Sequence, residues 1–272
     1  MKPKAFDYLR AASAGEAVAG LAKGGDTARI LAGGMSLVPI LNFRLADPEL
    51  LIDISRITDL DYIRVDGNMV QIGASTRQAK VLAWPELATR VPLLAKALPH
   101  VGHYQTRSRG TVCGSLAHAD PSSEIPLCLA TLGGEVVLKS ASGERRLGAD
   151  DFQTGMLTTA KRDDEMVLAA RFPIAEPGAG YAFDEMAQRR GDFAIVAVAA
   201  AVSGAKIRLG VGGVADKPTV AEWENIAGDE LDEALNAFAW ELGGYDDVHA
   251  TARYRRELVR RLGRRVIEEA RP

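Results

Sequence analysis

Two glycine-centred stretches restrict what this chain can fold into more than any other feature. The first, Ile30 to Pro39, closes an apolar run ending in Leu31 and Ala32 with Gly33 and Gly34, then continues through Met35, Ser36, Leu37 and Val38. The second, Arg109 to Pro121, sets Gly110 and Thr111 ahead of Val112, Cys113, Gly114 and Ser115. The first reads as a buried strand feeding glycines and then a helix to Leu45 that Ser36 can cap; the second repeats that logic. Without Cβ atoms the backbone can come close to a ligand, and free amide N–H groups at such a turn make a concave anion site. One such turn is ordinary loop chemistry. Two of them, each coupling glycine with a hydroxyl residue, can grip both anionic groups of a diphosphate.

The 272 residues, 47% hydrophobic and 25% charged, describe a globular protein with room for one large domain or two of ordinary size. A net charge of −3 excludes broad nucleic-acid affinity on composition. No stretch approaches the roughly 18 uninterrupted apolar residues of a membrane span. Met1 to Asp7 lacks the apolar centre of a secretory signal, so the expected compartment is the cytoplasm. The two cysteines, Cys113 and Cys128, carry a further constraint. A structural disulfide is not expected in a reducing compartment. An iron–sulfur cluster takes four cysteine ligands, so this chain cannot hold one by itself. If it works in electron transfer, the iron–sulfur partner is another polypeptide.

Along the chain, residues 5–55 read as strand, helix, strand, helix, strand, with Ser13 as N-cap of a helix over Ala14 to Lys23 and Gly24-Gly25 as its stop. A larger region follows to Pro173. Asp66-Gly67 and Ser142-Gly143 mark hairpins, Thr76 to Ala83 and Glu86 to Leu98 have helical period, and Met166 to Phe172 is a strand. Pro173 to Gly180 is the clearest linker. Beyond it come a strand meander (Tyr181 to Arg189, Ile195 to Ser203, Ala205 to Gly212) and two helices, Asp229 to Leu242 and Asp247 to Glu269.

The run Ala32-Gly33-Gly34-Met35-Ser36-Leu37-Val38-Pro39, followed later by Arg109-Gly110-Thr111-Val112-Cys113-Gly114-Ser115-Leu116-Ala117-His118-Ala119-Asp120-Pro121, resembles the FAD-binding medium subunit of molybdenum hydroxylases. That family includes the flavoproteins of aerobic carbon monoxide dehydrogenase and the flavin domain of xanthine dehydrogenase. The resemblance covers nearly the whole chain. It implies an α+β chain: a two-lobed FAD-binding fold of the PCMH/VAO type over 1–55 and 56–174, then a C-terminal sheet-plus-helices domain over 178–272. It implies FAD in this chain, and molybdopterin and 2Fe–2S clusters in a large and a small partner subunit, with a dimer of heterotrimers as the assembly. Two rival readings stay open: a self-contained flavin oxidoreductase with its own substrate site, and a partner protein that lost the cofactor.

Several positions sharpen these expectations. Cys113 stands where the family commonly has glycine; its Cβ restricts φ and is expected to crowd a phosphate. Asp120 suits ribose hydroxyls as well as loop capping, and by resemblance Glu124 stands where the family has an acid on the adenosine side. The segment Gln188 to Phe193 resembles a family stretch that brings an aromatic, here Phe193, to the isoalloxazine ring. Lys161 replaces an apolar residue of that family and can set positive charge near the ring. No nucleophile–base pair for substrate chemistry is evident. His100, His103 and His118 lack the ligand number and regular spacing of a zinc site, and two of them, bordering the cofactor loop, are expected to line it. Gly210-Val211-Gly212-Gly213-Val214-Ala215 imitates a dinucleotide fingerprint, but Pro218 forbids the helix that fingerprint requires. The last helix carries eight arginines against three glutamates between Thr251 and Arg271, which reads as a solvated basic face or a partner-docking one.

Overall fold

The computed structural model describes residues 2–271. The N-terminal lobe alternates β1 (Asp7–Arg10), α1 (Ala14–Gly24), β2 (Ala28–Leu31), α2 (Leu37–Asn42) and β3 (Leu50–Asp53). Its three strands lie in the order β1-β3-β2, all parallel, as the intervening helical crossovers demand. Ser13 caps α1 by accepting from the Glu16 N–H at 3.1 Å, and Gly25 ends it at φ 55°. Ala17, Val18 and Leu21 form the buried face of α1.

The second lobe is built on a five-stranded antiparallel sheet in the order β4-β5-β10-β6-β7. Its elements run β4 (Ile63–Asp66), β5 (Met69–Gly73), α3 (Gln78–Leu82), α4 (Leu87–Arg90), α5 (Pro92–Ala97), α6 (Tyr104–Arg109), α7 (Val112–His118) and α8 (Glu124–Leu132). They continue with β6 (Glu135–Ser140), β7 (Gly143–Gly148), α9 (Ala149–Phe152), β8 (Gln153–Gly155), β9 (Thr158–Thr159) and β10 (Met166–Pro173). Both expected hairpins form, with Gly67 at φ 61° in the first turn. The expected helix over 86–98 is instead two helices broken at Val91, because the residue before Pro92 is driven out of the α region (φ −136°, ψ 66°). One buried cluster joins α1 and β3 to this sheet, so the first two lobes share a core.

The C-terminal domain is a meander, β11 (Gly180–Met186), β12 (Val196–Ser203), β13 (Lys206–Gly212) and β14 (Thr219–Glu224), followed by α10 (Gly228–Glu241) and α11 (Ala252–Ala270). The sequence reading missed β14, a half-exposed edge strand with weak alternation. It also started the last helix too early: Thr251 is the true N-cap, and Asp247 instead closes the preceding loop by accepting from the His249 and Ala250 N–H groups. β12 is sandwiched. Ala197 and Ala199 enter the core shared with the first two lobes, while Val196, Val198, Ala200 and Val202 pack under α10 and α11.

That sandwich explains the false fingerprint. A Cβ on Gly210 would lie 2.0 Å from the Thr131 hydroxyl of α8, so glycine there admits a helix against the sheet. Gly213 follows at φ 79° in a turn, and the next element is the strand β14 rather than a helix.

Candidate functional site

The two glycine turns meet. β2 delivers Leu31 and Ala32 to Gly33, whose missing side chain faces the Arg109–Gly110 backbone. A Cβ on Gly33 would stand 2.3 Å from the Arg109 carbonyl oxygen and 2.7 Å from the Gly110 Cα. Only glycine permits that approach. Gly34 then turns the chain at φ 73°, and the Val38 N–H closes the turn onto the Gly34 carbonyl at 3.0 Å. The amides of Gly34, Met35 and Ser36 donate to no acceptor among the described residues. The Met35 and Val38 side chains are exposed, whereas Leu37 is half-buried. α2 is shorter than expected, ending at Asn42, and Ser36 does not cap it: the residue is helical (φ −99°, ψ −47°) with no side-chain capping bond.

The second turn is better buttressed. The Thr111 hydroxyl caps α7 by accepting from the Gly114 N–H at 2.9 Å. A Cβ on Gly114 would fall 2.8 Å from that hydroxyl, so the cap and the glycine go together. Val112 and Cys113 are buried and Ser115 half-buried on the same short helix. The expected crowding by Cys113 does not occur. Its φ is negative within α7, and its thiol turns into the core, 3.5 Å from the Ile72 carbonyl. Burial pushes that thiol up to about 12, so it is an inert apolar filler.

Beyond α7, Ala119 takes the left-handed conformation (φ 55°) and Asp120 accepts from the Ser122 N–H at 2.9 Å, closing the loop before α8. Asp120 therefore makes at least the capping bond its position before Pro121 suggests. Glu124, first residue of α8, is 5% exposed. Burial pushes its carboxyl from 4.5 up to about 8, with Glu185 and Asp120 adding repulsion and His100 opposing it. Glu185 is itself buried and accepts from or pairs with His100 Nδ1 at 3.1 Å; the His100 ring tilts against Phe183 at 5.1 Å.

Two of the three histidines thus do something other than line the glycine turns. His100 meets β11, and His103 sits under Gly191, where a Cβ would lie 2.6 Å from the imidazole Cε1 and where φ is 87°. Both seat the C-terminal domain on the second lobe. His118 is half-buried, and burial lowers its pKa against the pull of Asp120. Phe193, on the β11–β12 loop, is 57% exposed rather than part of a core. With Arg189, Asp192, Tyr245 and His249 it lines a cavity of about 420 Å³. Lys161, just after β9, is half-buried and donates to the Arg162 carbonyl at 2.8 Å; burial lowers its pKa, and Arg29 of β2 acts in the same direction.

Two residues outside any recognisable motif brace this region. Gln78 ties α3 to the second glycine turn, and Arg255 is fully buried beneath the Phe193 loop. Neither belongs to a motif or breaks a periodicity.

The Glu124 environment has a pH consequence. A carboxyl whose folded pKa is raised leaves stability unaffected below pH 4.5. Between there and about pH 8 the unfolded chain gives up a proton that the folded chain retains, so stability falls as pH rises. Glu124→Gln apo-protein should melt with the wild type near pH 4.5 and above it once pH exceeds about 8, read by thermal unfolding across that range.

A pair of glycine turns is in backbone contact between two lobes sharing a core, and the first of them leaves the Gly34, Met35 and Ser36 amides without an acceptor among the described residues. Residues 4–175 match the FAD binding domain in molybdopterin dehydrogenase and residues 181–270 the CO dehydrogenase flavoprotein C-terminal domain. The chain belongs to the molybdopterin dehydrogenase flavoprotein family and is an FAD-binding subunit of an oxidoreductase. It is 37% identical to the 6-hydroxypseudooxynicotine dehydrogenase complex subunit alpha of Paenarthrobacter nicotinovorans, over 99% of this chain and 96% of that one. It is 35% identical to the carbon monoxide dehydrogenase medium chain of Afipia carboxidovorans, over 99% and 98% of the two chains. The structure of reconstituted CO dehydrogenase from Oligotropha carboxidovorans superposes with a TM-score of 0.95 at 34% identity, covering 100% of this chain and 99% of that one.

Proposed function

We propose that this chain is the electron-transfer subunit of a heteromeric molybdenum hydroxylase. It takes electrons from iron–sulfur clusters in a small partner subunit and passes them through FAD to an external acceptor, while a large molybdopterin subunit holds the substrate. The assembly is a dimer of heterotrimers in the cytoplasm, and the chain divides at 1–55, 56–174 and 178–272, a division favoured by the three separate main sheets. The observation that carries the reading is the backbone contact between Gly33 and Gly110. The cysteine count supports it, since two buried thiols cannot ligate a cluster and the electrons must come from another chain.

The residues fit the cofactor. Gly34, Met35, Ser36, Thr111, Gly114 and Ser115 would hold the diphosphate, Asp120 and Glu124 would meet the sugar, and Phe193 and Lys161 the ring. Bound FAD supplies the redox chemistry. The protein's own part is to aim amides at the diphosphate, to place Phe193, and to hold Glu124 protonated through neutral pH.

A charge pair tests the placement. Gly34 has a positive φ that Asn and Asp tolerate, and a Cβ there meets only the side-chain ends of Val38 and Leu31, at 3.1 and 3.2 Å. Gly34→Asn and Gly34→Asp differ in charge alone. The aspartate should weaken FAD binding to the apo-protein at least about tenfold beyond the asparagine, because one desolvated like charge is worth more than about 1.4 kcal/mol. Flavin fluorescence titration reads it, and equal affinities would remove the diphosphate from this turn. Purification with native neighbours followed by molybdenum, iron and flavin analysis tests the assembly.

A further inference from the structure

α3 begins where the second glycine turn needs support. The Gln78 N–H donates to the Gly110 carbonyl at 2.9 Å, and its side-chain Nε2 donates to the Thr111 carbonyl at 3.4 Å. Arg77 adds a bond from its guanidinium to the Ser108 carbonyl at 3.1 Å and bridges to Thr111 across the two strands of backbone. Consecutive carbonyls are thereby drawn to α3. Because a trans peptide points its N–H opposite its C=O, holding the Gly110 carbonyl there turns the Thr111 N–H the other way. A carbonyl oxygen facing an anion would repel it, so the direction of these peptide planes decides whether the turn can bind a phosphate at all.

The Gln78 side chain is 4% exposed, and its Oε1 has no hydrogen-bond partner among the described residues. That oxygen lies 3.2 Å from where a Cβ on Gly110 would be. An orphaned buried acceptor is unfavourable, and a methionine of similar length would avoid it. What the amide offers and methionine lacks is the donor to Thr111. We infer that Gln78 is a positioning residue for the cofactor: its buried amide joins the Ser115 N–H, which donates to the Thr111 carbonyl at 3.2 Å, in holding that carbonyl away from the diphosphate and orienting the second glycine turn. The inference rests on the reading that the two glycine turns hold that diphosphate.

Gln78→Glu and Gln78→Met test it through FAD titration and melting of the apo-protein. A neutral glutamic acid can still donate to the Thr111 carbonyl; an ionised one cannot, and it adds negative charge behind the turn. The FAD affinity of Gln78→Glu relative to wild type at the same pH should therefore fall about tenfold or more between roughly pH 5 and 9, the span in which a buried carboxyl ionises. Taking the ratio cancels the titration of Glu124. Gln78→Met should lose about tenfold in FAD affinity at every pH without a lower apo melting temperature. A flat affinity ratio for Gln78→Glu, or a Gln78→Met protein that melts earlier yet binds FAD as wild type does, overturns the assignment. If Gln78→Glu does not fold, Gln78→Met alone decides. The Gly34 pair separates the two levels: equal binding by Gly34→Asn and Gly34→Asp sinks the placement of the diphosphate, whereas a charge effect there with normal Gln78 variants sinks only the role of Gln78.

Discussion

Gly33→Ala is expected to yield a protein that purifies colourless. The added methyl would stand 2.3 Å from the Arg109 carbonyl oxygen and 2.7 Å from the Gly110 Cα, and both are backbone atoms that cannot rotate aside. One of the turns must move by about an ångström to restore ordinary contact, and overpacking of this kind costs about 1–3 kcal/mol in the fold. The larger effect falls on the ligand. A diphosphate held from two sides loses its geometry when the sides part, and the expected loss of FAD affinity is at least about 100-fold, or roughly 2.7 kcal/mol. Gly155→Ala is the control, since a Cβ there meets nothing within 4 Å and no unusual backbone is involved. Absorbance of the purified protein, flavin released on heating and titration of the apo form measure the outcome. A yellow Gly33→Ala protein with wild-type affinity would mean that the contact between the turns is unimportant to the cofactor.

Arg255→Met should produce the largest loss of stability available from a single arginine. The side chain is 2% exposed and fully engaged. Nη1 donates to the Ile195 and Gly213 carbonyls at 2.5 and 2.8 Å, Nε to the Tyr245 carbonyl at 3.2 Å, and Nη2 pairs with Asp247 at 2.6 Å. Its guanidinium also stacks 4.2 Å from the Tyr245 ring centroid. Methionine fills much of the volume but leaves the three carbonyls without this donor, while Asp247, 30% exposed, keeps its bonds from the His249 and Ala250 N–H groups. A buried acceptor left unpaired costs about 1–3 kcal/mol, so three of them lower the melting temperature by on the order of 5–10 °C in a chain of this size. Ile195 ends the loop that carries Phe193, so faster flavin release should accompany the loss. Arg261→Met, which removes only a surface pair with Glu257, should stay within about 0.5 kcal/mol of wild type when both variants are unfolded in urea. Equal stabilities of the two variants would show that the Arg255 network is not holding the domain.

Arg255 also shows where sequence reading stopped. The arginine-rich helix promised a charged face, and most of it is one: Arg260 and Arg261 share Glu257, and Arg264 pairs with Glu268. Nothing in the spacing distinguishes Arg255 from its neighbours, because its partners are brought up by the loop before β12, the turn after β13 and the loop before α11. Leu258, Leu262 and Val266 recur at helical spacing, and the stripe they form is buried as that period requires. The glycine turns were legible for the same local reason, since glycine marks a backbone demand at its own position. Gln78 was not, because its role is defined by a turn distant in the chain. Cys113 misled in the other direction: a local argument about Cβ crowding failed once α7 rotated the thiol toward β5. At Val91 and Pro92 the chemistry of proline outweighs the helical period of the run, and the helix breaks.

β12 has consequences for how this protein can be taken apart, by the laboratory or by evolution. Its odd-numbered alanines belong to one half of the molecule and its even-numbered valines to the other, so the strand acts as a party wall. The two halves match separate family models, yet neither owns a complete interior. An exchange of C-terminal halves between relatives would succeed only where the incoming sheet brings small residues such as Gly210 to admit the host's α8. Modularity in this chain is a matter of ancestry, while its mechanics are those of a single body.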